Sequence, residues 1–259
     1  MLRITDARTG EPVDATPTRR GLTRVVAHAP GHDTTALRVL LVADLLLRAL
    51  ELGGTPVWAL LAGQREREDL RASAAALGVR PFEDGRDPGP GPGGARVIHV
   101  AADDGPVPDG VRVAVAAATA DIPVGDIPAG DTPVGDTPVG DTPAGADDPS
   151  VLRLALLSRR RTAPARLDAA ALTDARDTLA RWRGAVAAWA RRPSRPVPDE
   201  VRGRLRAAWE NDLDVPAVLE VLTWVESDPG LPDGARFETY AYADRLLGLD
   251  LTRDLGSPA

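Results

Sequence analysis

The 259-residue chain contains no cysteine and no lysine, and only 3% of its residues are aromatic. Without cysteine it forms no disulfide, offers no thiolate nucleophile and cannot bind zinc or an iron–sulfur cluster through sulfur. All 31 basic residues are arginines, so no ammonium group is present to form a Schiff base or to contact a phosphate as lysine does. These absences exclude several classes of catalytic site before any motif is considered.

Long uninterrupted hydrophobic segments are also missing. The most apolar stretch, residues 37–50, is broken by Arg38, Asp44 and Arg48, and the opening MLRITDARTG lacks the apolar centre of a signal peptide. Hydrophobic residues make up 43% of the chain and charged residues 27%, which is the balance of an ordinary globular protein. We therefore expect a cytoplasmic protein with no membrane span.

Charge is distributed unevenly along the chain. The net charge is −7, yet residues 151–206 contain 14 arginines and only 5 acidic residues, a local balance of +9. A concentration of arginine is one feature of nucleic-acid-binding surfaces. It is also expected on the solvated faces of helices in a chain whose only basic residue is arginine.

The first 120 residues alternate between strand-like and helix-like patterns. Such an alternation is typical of a parallel sheet with right-handed crossovers. Helix 35–52 carries one polar stripe, Asp44, Arg48 and Glu51, and is otherwise apolar, so we expect it to be buried against the sheet. The sequence predicts an α/β domain at 1–120, with helices at 35–52 and 65–79 and strands at 22–29, 55–63, 95–102 and 111–118.

Residues 121–146 contain five consecutive pentapeptides, DIPVG DIPAG DTPVG DTPVG DTPAG. Proline removes one backbone donor from every unit and glycine adds conformational freedom, so neither a helix nor a sheet can continue through them. We predict a flexible acidic linker at 121–146 and a second, shorter one in DGRDPGPGPGG at 84–94.

The remaining residues, 147–259, have a helical pattern. Apolar residues recur at spacings of three and four and so share one face of a long helix: Leu172, Ala175, Leu179, Trp182, Val186 and Trp189. Further helices are predicted at 149–158, 199–212, 217–226 and 235–247. Together they predict a helical bundle of four or five members.

Several stretches share the pattern of a known enzyme family. They are MLRITDARTGEPV, then VVAHAPGHDTTALRVLLVADLLLRALELGG with Arg38, Asp44 and Arg48 at matching positions, then DDPSVLRLALLSRRRTAPARLDAAALTDARDTLARW, continued by ENDLDVPAVLEVL. They resemble cysteinyl-tRNA synthetase, a class I aminoacyl-tRNA synthetase, over roughly residues 1–60 and 147–250. The resemblance implies a Rossmann-like α/β domain followed by an α-helical stem bundle.

The residues with which that family handles ATP are replaced here. Its signature tetrapeptide HIGH contacts the ATP phosphates, and counting back from Arg38 those positions read Asp33, Thr34, Thr35 and Ala36. An aspartate there would repel phosphate, whereas Asp33 or Thr34 is a typical cap for a helix that begins at this point. We predict a vestigial nucleotide-binding loop, with His32 as a partial substitute, at Gly31, His32, Asp33, Thr34 and Thr35.

The family's other two motifs are missing as well. Its KMSKS loop needs lysines, and this chain has none. Its zinc site recognises the substrate thiolate, and the first zinc-binding cysteine corresponds to about Ala27. His28 and His99 fall at or near predicted strand ends, where a hydrogen-bonded structural histidine is the common role. We predict no metal, no cofactor and no catalytic residue.

One function fits these observations best. The chain is interpreted as a truncated, catalytically degenerate relative of the synthetase that acts by binding a tRNA or a protein partner. The arginines predicted to contact RNA are Arg159, Arg160, Arg161, Arg181 and Arg183.

Two alternatives stay open. One is a divergent ATP-dependent cysteine ligase whose acceptor is a tRNA or an amino sugar. The other is a structural or regulatory protein that pairs with a partner through its tryptophans, although the spacing of these residues fits a helical core better: Trp182, Trp189, Trp209 and Trp224.

Overall fold

The structure is a computed structural model that describes residues 1–16, 21–62, 67–85, 96–121 and 148–256. Its strands are β1 (Arg3–Thr5), β2 (Pro12–Asp14), β3 (Thr23–His28), β4 (Val57–Ala62), β5 (Glu83–Asp84), β6 (Arg96–Ala102), β7 (Val111–Val115), β8 (Ala118–Ala120) and β9 (Ala165–Leu167). Its helices are α1 (Thr34–Leu52), α2 (Arg67–Ala76), α3 (Pro149–Leu157), α4 (Ala169–Trp189), α5 (Asp199–Glu210), α6 (Val215–Ser227) and α7 (Asp233–Leu247).

A five-stranded parallel sheet forms the first half of the molecule. Its strand order is β5-β4-β3-β6-β7, so the chain moves outward from β3 in one direction and then returns to the other side of it. β3 pairs with β4 from Thr23↔Val57 and with β6 from Thr23↔Arg96. This order confirms the predicted Rossmann-like sheet and places a topological switch point between β3 and β6.

Helix α1 is the central helix of the molecule. Nearly all of its residues are buried, because it packs on β3 and β6 on one side and reaches β8 and α7 on the others. It ends at a glycine pair, where the amide of Gly53 donates to the carbonyl of Ala49 (3.1 Å) and Gly54 adopts a left-handed φ of 78°. The predicted buried helix is therefore confirmed.

Helices α3 to α7 form the predicted bundle. Its core contains Trp182, Trp189 and Trp209, as the spacing predicts. The ring of Tyr240 packs edge-on against Trp182 (5.7 Å between centroids) and Trp189 (5.1 Å), and its hydroxyl donates to the carbonyl of Leu222 (2.8 Å). Aromatic contacts between α4 and α7, with a hydrogen bond from α7 to α6, thus fix the centre of the bundle.

Three details of the sequence prediction are wrong. Residues 111–118 do not form one strand: β7 ends at Val115, and the amide of Ala116 donates to the carbonyl of Arg161 (2.8 Å). The second half is not purely helical either, because β9 pairs in parallel with β8. Three-residue strands that pair across a long stretch of chain leave no periodic signal in the sequence. The linker predicted at 84–94 starts one residue too early. Its first residue, Asp84, belongs to strand β5, which pairs with β4.

The predicted linker at 121–146 lies outside the described residues except for Asp121, as do most residues of the segment 84–94. The division into domains at 1–120 and 147–259 therefore stays a prediction, although one continuous hydrophobic core runs through both halves. Among the helices that the structure describes, none is long and apolar enough to cross a lipid bilayer.

Candidate functional site

The loop between β3 and α1 contains the five residues predicted as a vestigial nucleotide site. Asp33 precedes the helix with extended backbone angles (φ −137°, ψ 175°), and its side chain accepts a hydrogen bond from the amide of Ala36 at 2.7 Å. The carbonyl of Asp33 accepts from the amide of Leu37 at 3.0 Å. Asp33 is thus an N-cap, and it satisfies a first-turn amide that could otherwise bind an anion.

Thr35 ties the same helix end to a neighbouring strand. Its hydroxyl donates to the carbonyl of Ala118 (3.2 Å) and accepts from the amide of Ala118 (3.1 Å). Both backbone groups of Ala118, at the start of β8, are therefore paired with one side chain. β8 consequently lies directly beside the amino end of α1.

Of the other three loop residues, only His32 has a described hydrogen bond within the protein. The ring nitrogen Nε2 of His32 lies 3.0 Å from the hydroxyl of Ser73 on α2, and Thr34 is buried. Gly31 faces open space, since a Cβ atom there would meet nothing within 4 Å. The structure brings all five residues together around one helix end, with the polar groups of His32, Asp33 and Thr35 engaged by neighbours.

A histidine pair lies at the switch point between β3 and β6. Nε2 of His28 is 2.9 Å from Nδ1 of His99, which is fully buried, and the two ring centroids are 5.1 Å apart. Gly110, with φ 148°, packs against His99, because a Cβ atom there would lie 2.9 Å from Cδ2 of the ring. Both histidines are hydrogen-bonded structural groups, as predicted.

The zinc site implied by the resemblance does not fit the residues present. Among the described parts of the chain, no three side chains of His, Cys, Asp or Glu converge on a point. His28 and His99 bond to each other and His32 bonds to Ser73, so the histidines do not share a centre.

Arg38 connects α1 to the residue after β7 and to the segment between α3 and β9. It is 1% exposed, and its guanidinium donates to the carbonyls of Ala116 (2.9 Å), Ala163 (2.7 Å) and Arg160 (2.8 Å). Burial lowers the pKa of this guanidinium, and the charge of Asp103 offsets only part of the loss of hydration. Its role is to hold two backbone segments, at residue 116 and at residues 160–163, around the first turns of α1.

Asp44, farther along α1, is the centre of an ion cluster. Its carboxylate is fully buried and accepts from Arg48 (2.8 Å), Arg80 (2.9 Å) and Arg153 (3.1 Å). Arg80 also contacts Glu51 at 2.5 Å. Burial alone would raise the pKa of Asp44, but the charges of Arg153 and Arg48 and the hydrogen bonds from Arg80 and Arg153 outweigh it and lower that pKa below its ordinary value.

The cluster joins the two halves of the molecule. Arg153 comes from α3 and is itself fully buried, and it donates to the carbonyls of Leu247 (2.6 Å) and Leu77 (2.8 Å). Gly248, with φ 61°, closes the arrangement, because a Cβ atom there would lie 2.9 Å from Nη2 of Arg153. The predicted polar stripe placed Asp44 and Arg48 on one face of α1, but nothing in the sequence predicted the ion pairs of Asp44 with Arg80 and Arg153.

The arginines predicted to contact RNA do not form one surface. Arg161 and Arg183 are each only 6% exposed, and they pair with Asp212 and Asp148 respectively. Arg159, Arg160 and Arg181 keep exposed side chains, and Arg160 and Arg181 pair with Asp214 and Glu226. The structure therefore leaves three of the five side chains accessible to a phosphate.

A large cleft lies away from the signature loop. It has a volume of about 860 Å³ and lies between the turn after α2, the start of α3, the side of α4 and the turn after α7. Its charged lining is balanced between arginine and aspartate: Arg176, Arg183, Arg253, Asp148, Asp250 and Asp254. None of the residues 31–35 lines this cleft.

Comparison with known proteins gives one group of relatives. The chain is 36% identical over 108 residues to the L-cysteine:1D-myo-inositol 2-amino-2-deoxy-alpha-D-glucopyranoside ligase of Streptomyces griseus, a match that covers 40% of this chain and 25% of that ligase. The ligases of the same name from Streptosporangium roseum and Segniliparus rotundus are 36% and 37% identical over 112 and 109 residues, again 40% of this chain and about a quarter of theirs. No protein-family model matches the chain.

Over the 40% of the chain that they cover, these matches support a relationship to the synthetase-like cysteine ligases. The relatives are cysteine ligases of the class I synthetase type. The chain spans about a quarter of the length of the curated relatives it matches. The comparisons therefore favour a link to the ligase with an amino-sugar acceptor over the link to the tRNA synthetase itself.

Proposed function

We propose that this chain is a noncatalytic relative of the ATP-dependent cysteine ligases and that it acts by binding a partner. The observation that carries the proposal is the amino end of α1. Asp33 caps the helix and Thr35 bonds to Ala118 at positions where the synthetase family has its phosphate-contacting signature. An aspartate whose side chain already accepts from Ala36 adds negative charge where the triphosphate would need positive charge.

The remaining groups for amino-acid activation have no substitute in the described residues. Adenylation needs donors that stabilise charge on the departing pyrophosphate. Arg38 is the nearest arginine on α1, but its guanidinium is committed to backbone carbonyls on the side that faces the bundle. His32, the predicted substitute, bonds to Ser73 on α2.

The partner proposed first is an RNA. Arg159, Arg160 and Arg181 remain exposed or half-exposed within the segment of excess positive charge, and each phosphate contact would contribute a salt-dependent share of the affinity. Arg161 and Arg183 are outside this proposal, since their charges are paired within the core. A protein partner is the alternative if RNA does not bind.

The test is cysteine-dependent exchange of pyrophosphate into ATP by the full chain, with the Streptomyces griseus ligase as the active control. We expect no exchange above background. Measurable exchange that depends on cysteine would refute the proposal.

RNA binding is tested separately by filter binding to tRNA across a range of salt concentrations. The double variant Arg159→Gln/Arg160→Gln should lower the salt dependence by about two phosphate contacts. The matched control is Arg204→Gln/Arg206→Gln, which removes two exposed arginines of α5 and should leave the binding unchanged. Equal loss in both variants would contradict the assignment of this surface.

A working ligase is the second candidate function. The observation in its favour is the activity for which the three relatives are named, the ligation of L-cysteine to an amino sugar. It predicts cysteine-dependent exchange, so the same assay separates the two candidates.

A further inference from the structure

A proline-rich segment, residues 193–198, joins α4 to α5. Its sequence is PSRPVP, and the structure describes all six residues with neither a helix nor a strand among them. Proline fixes its own φ at about −65° and also restricts the residue before it to extended angles. Five of the six residues are therefore constrained, because Arg195 and Val197 each precede a proline. Pro198 has φ −58° and ψ 143°, which are polyproline II angles.

One face of this segment is held by the bundle. A polyproline II helix has three residues per turn, so residues three apart in sequence share a face. Ser194 and Val197 share one of the three faces. The hydroxyl of Ser194 donates to Glu238 on α7 (2.7 Å), and Val197 packs against the hydrophobic core.

The other two faces are open to solvent. Pro193 and Pro196 share one of them, Arg192 and Arg195 share the other, and all four residues are exposed. With a rise of about 3.1 Å per residue, the two members of each pair are about 9 Å apart along the segment. The protein thus presents a pair of prolines and a pair of arginines at the same spacing.

A glycine of α7 allows the segment to lie close against the bundle. A Cβ atom on Gly234 would lie 2.0 Å from the carbonyl oxygen of Pro193 and 3.0 Å from the amide nitrogen of Arg195. Only glycine allows two backbones to approach this closely. The segment is therefore ordered before any partner binds, which lowers the entropy cost of binding.

The arginines beside the prolines keep most of their positive charge uncompensated. Arg191 and Arg195 form no ion pair with any described residue, and Nε of Arg192 is 3.7 Å from Asp233. The acidic residues at 199–200 do not offset these charges, because they pair with arginines of α5. A partner that covers this segment therefore needs carboxylates of its own.

We propose that residues 191–198 are a docking segment for a protein domain that binds polyproline II helices in an aromatic groove bordered by carboxylates. Pro193 and Pro196 would pack into the groove, and Arg192 and Arg195 would pair with the carboxylates. The exposed prolines favour a protein over RNA, because a phosphate backbone would use the arginines alone. The proposal does not depend on the RNA surface at Arg159, Arg160 and Arg181.

The direct test is calorimetric titration of the full chain with an SH3 domain whose aromatic groove is bordered by carboxylates. We expect saturable binding that weakens about tenfold or more in Pro193→Ala/Pro196→Ala, because the rings that fill the groove are lost. Absence of saturable binding to the unaltered chain would overturn the proposal.

A second proline pair gives the matched control, Pro229→Ala/Pro232→Ala. Both prolines are exposed and have the same spacing, but a turn bends the chain between them, since the amide of Leu231 donates to the carbonyl of Asp228 (3.2 Å). This variant should bind as the unaltered chain does, and circular dichroism should show that both double variants are folded. Equal losses in the two variants would contradict the assignment.

The variant Arg192→Gln/Arg195→Gln tests the role of charge. It should weaken binding to the domain and reduce its dependence on salt, whereas Arg204→Gln/Arg206→Gln on α5 should change neither. If Arg192→Gln/Arg195→Gln lowered binding to tRNA and left binding to the domain unchanged, these arginines would belong to an RNA surface and the proposal would be refuted.

Discussion

The two ends of helix α1 are held in different ways. At the amino end, Asp33 and Thr35 make short hydrogen bonds to backbone groups, and no ion pair is formed there among the described residues. In the carboxyl half, the buried Asp44 holds guanidinium groups from α1, from the turn after α2 and from α3. One end of the helix is held by hydrogen bonds to backbone groups and the other by buried ion pairs, and both reach distant parts of the chain.

The two ends of α1 also differ in how they compare with the synthetase family. Residues that resemble the family hold segments of the chain together, and residues that differ from it lie where the family binds ATP. Arg38, Asp44 and Arg48 match the family, and all three hold segments together. The positions that depart from the family, at Asp33 and Thr35, lie at the amino end, where the family contacts phosphate.

The largest effect is expected from Asp44→Asn. Loss of the carboxylate leaves Arg153 buried without a counter-charge, which should lower the free energy of unfolding by about 3–5 kcal/mol in a urea titration. Glu51→Gln, which removes only a half-exposed contact of Arg80, is the control and should cost under about 1 kcal/mol. Similar losses in both variants would show that the buried carboxylate of Asp44 stabilises this end of α1 no more than the half-exposed carboxylate of Glu51 does.

Thr35→Val should have the next largest effect. It leaves both backbone groups of Ala118 without their partner, at an expected cost of about 2 kcal/mol in the same titration. The control is Thr173→Val on α4, whose hydroxyl bonds only to the carbonyl of Ala169 at an exposed position. If Thr35→Val were as mild as Thr173→Val, the hydroxyl would not be fixing β8.

Acid should weaken the joint at Asp44 selectively. Because the pKa of Asp44 is held below its ordinary value in the folded state, the unfolded chain binds the proton more readily, and stability is lost as the pH falls below about 4. One such group contributes at most about 1.4 kcal/mol per pH unit. Unfolding titrations at a series of pH values should show a steeper loss in the unaltered chain than in Asp44→Asn, and parallel curves would contradict the assignment.

Asp33→Ala should cost about 1 kcal/mol, the usual contribution of an N-cap. Asp33→Ser keeps a capping oxygen and removes the charge, so it should be close to the unaltered chain in thermal unfolding. A large loss in Asp33→Ser would show that the charge of Asp33, and not its capping bond, is required at this end.

The smallest effect is expected from Arg160→Gln. This arginine pairs with Asp214 at 2.5 Å, but its side chain is 63% exposed, so the pair should contribute about 0–1 kcal/mol. The urea midpoints of Arg160→Gln and Asp44→Asn compare the contribution of an exposed ion pair with that of the buried cluster. A loss as large as that of Asp44→Asn would contradict the contrast.

Local sequence patterns predicted most of the secondary structure and the fold. They predicted few of the hydrogen bonds and ion pairs between distant segments. The alternation of strands and helices, the buried α1 and the tryptophan core of the bundle follow from periodicity and length. β8 and β9 were missed because three residues carry no period and their pairing joins distant segments. The order of the strands in the sheet was not predicted, because it depends on which distant segments pair with one another.

The sequence predicted where the residues of the candidate site lie. It did not predict which residues they contact. The sequence places Asp33 at a helix start, and capping follows from that position. The contact of Thr35 with Ala118 spans 83 residues and that of Asp44 with Arg153 spans 109, so neither is visible in a local pattern. The burial of Arg161 and Arg183 was missed for the same reason, since a count of arginines does not say which of them meet a carboxylate in the core.

The central claim is that the amino end of α1 no longer receives a nucleotide, and calorimetric titration of the full chain with magnesium ATP tests it most directly. We predict no saturable heat of binding, because Asp33 already accepts from the first-turn amide of Ala36 and adds negative charge beside that turn. Saturable binding of ATP that is lost in His32→Ala or strengthened in Asp33→Ser would contradict the account.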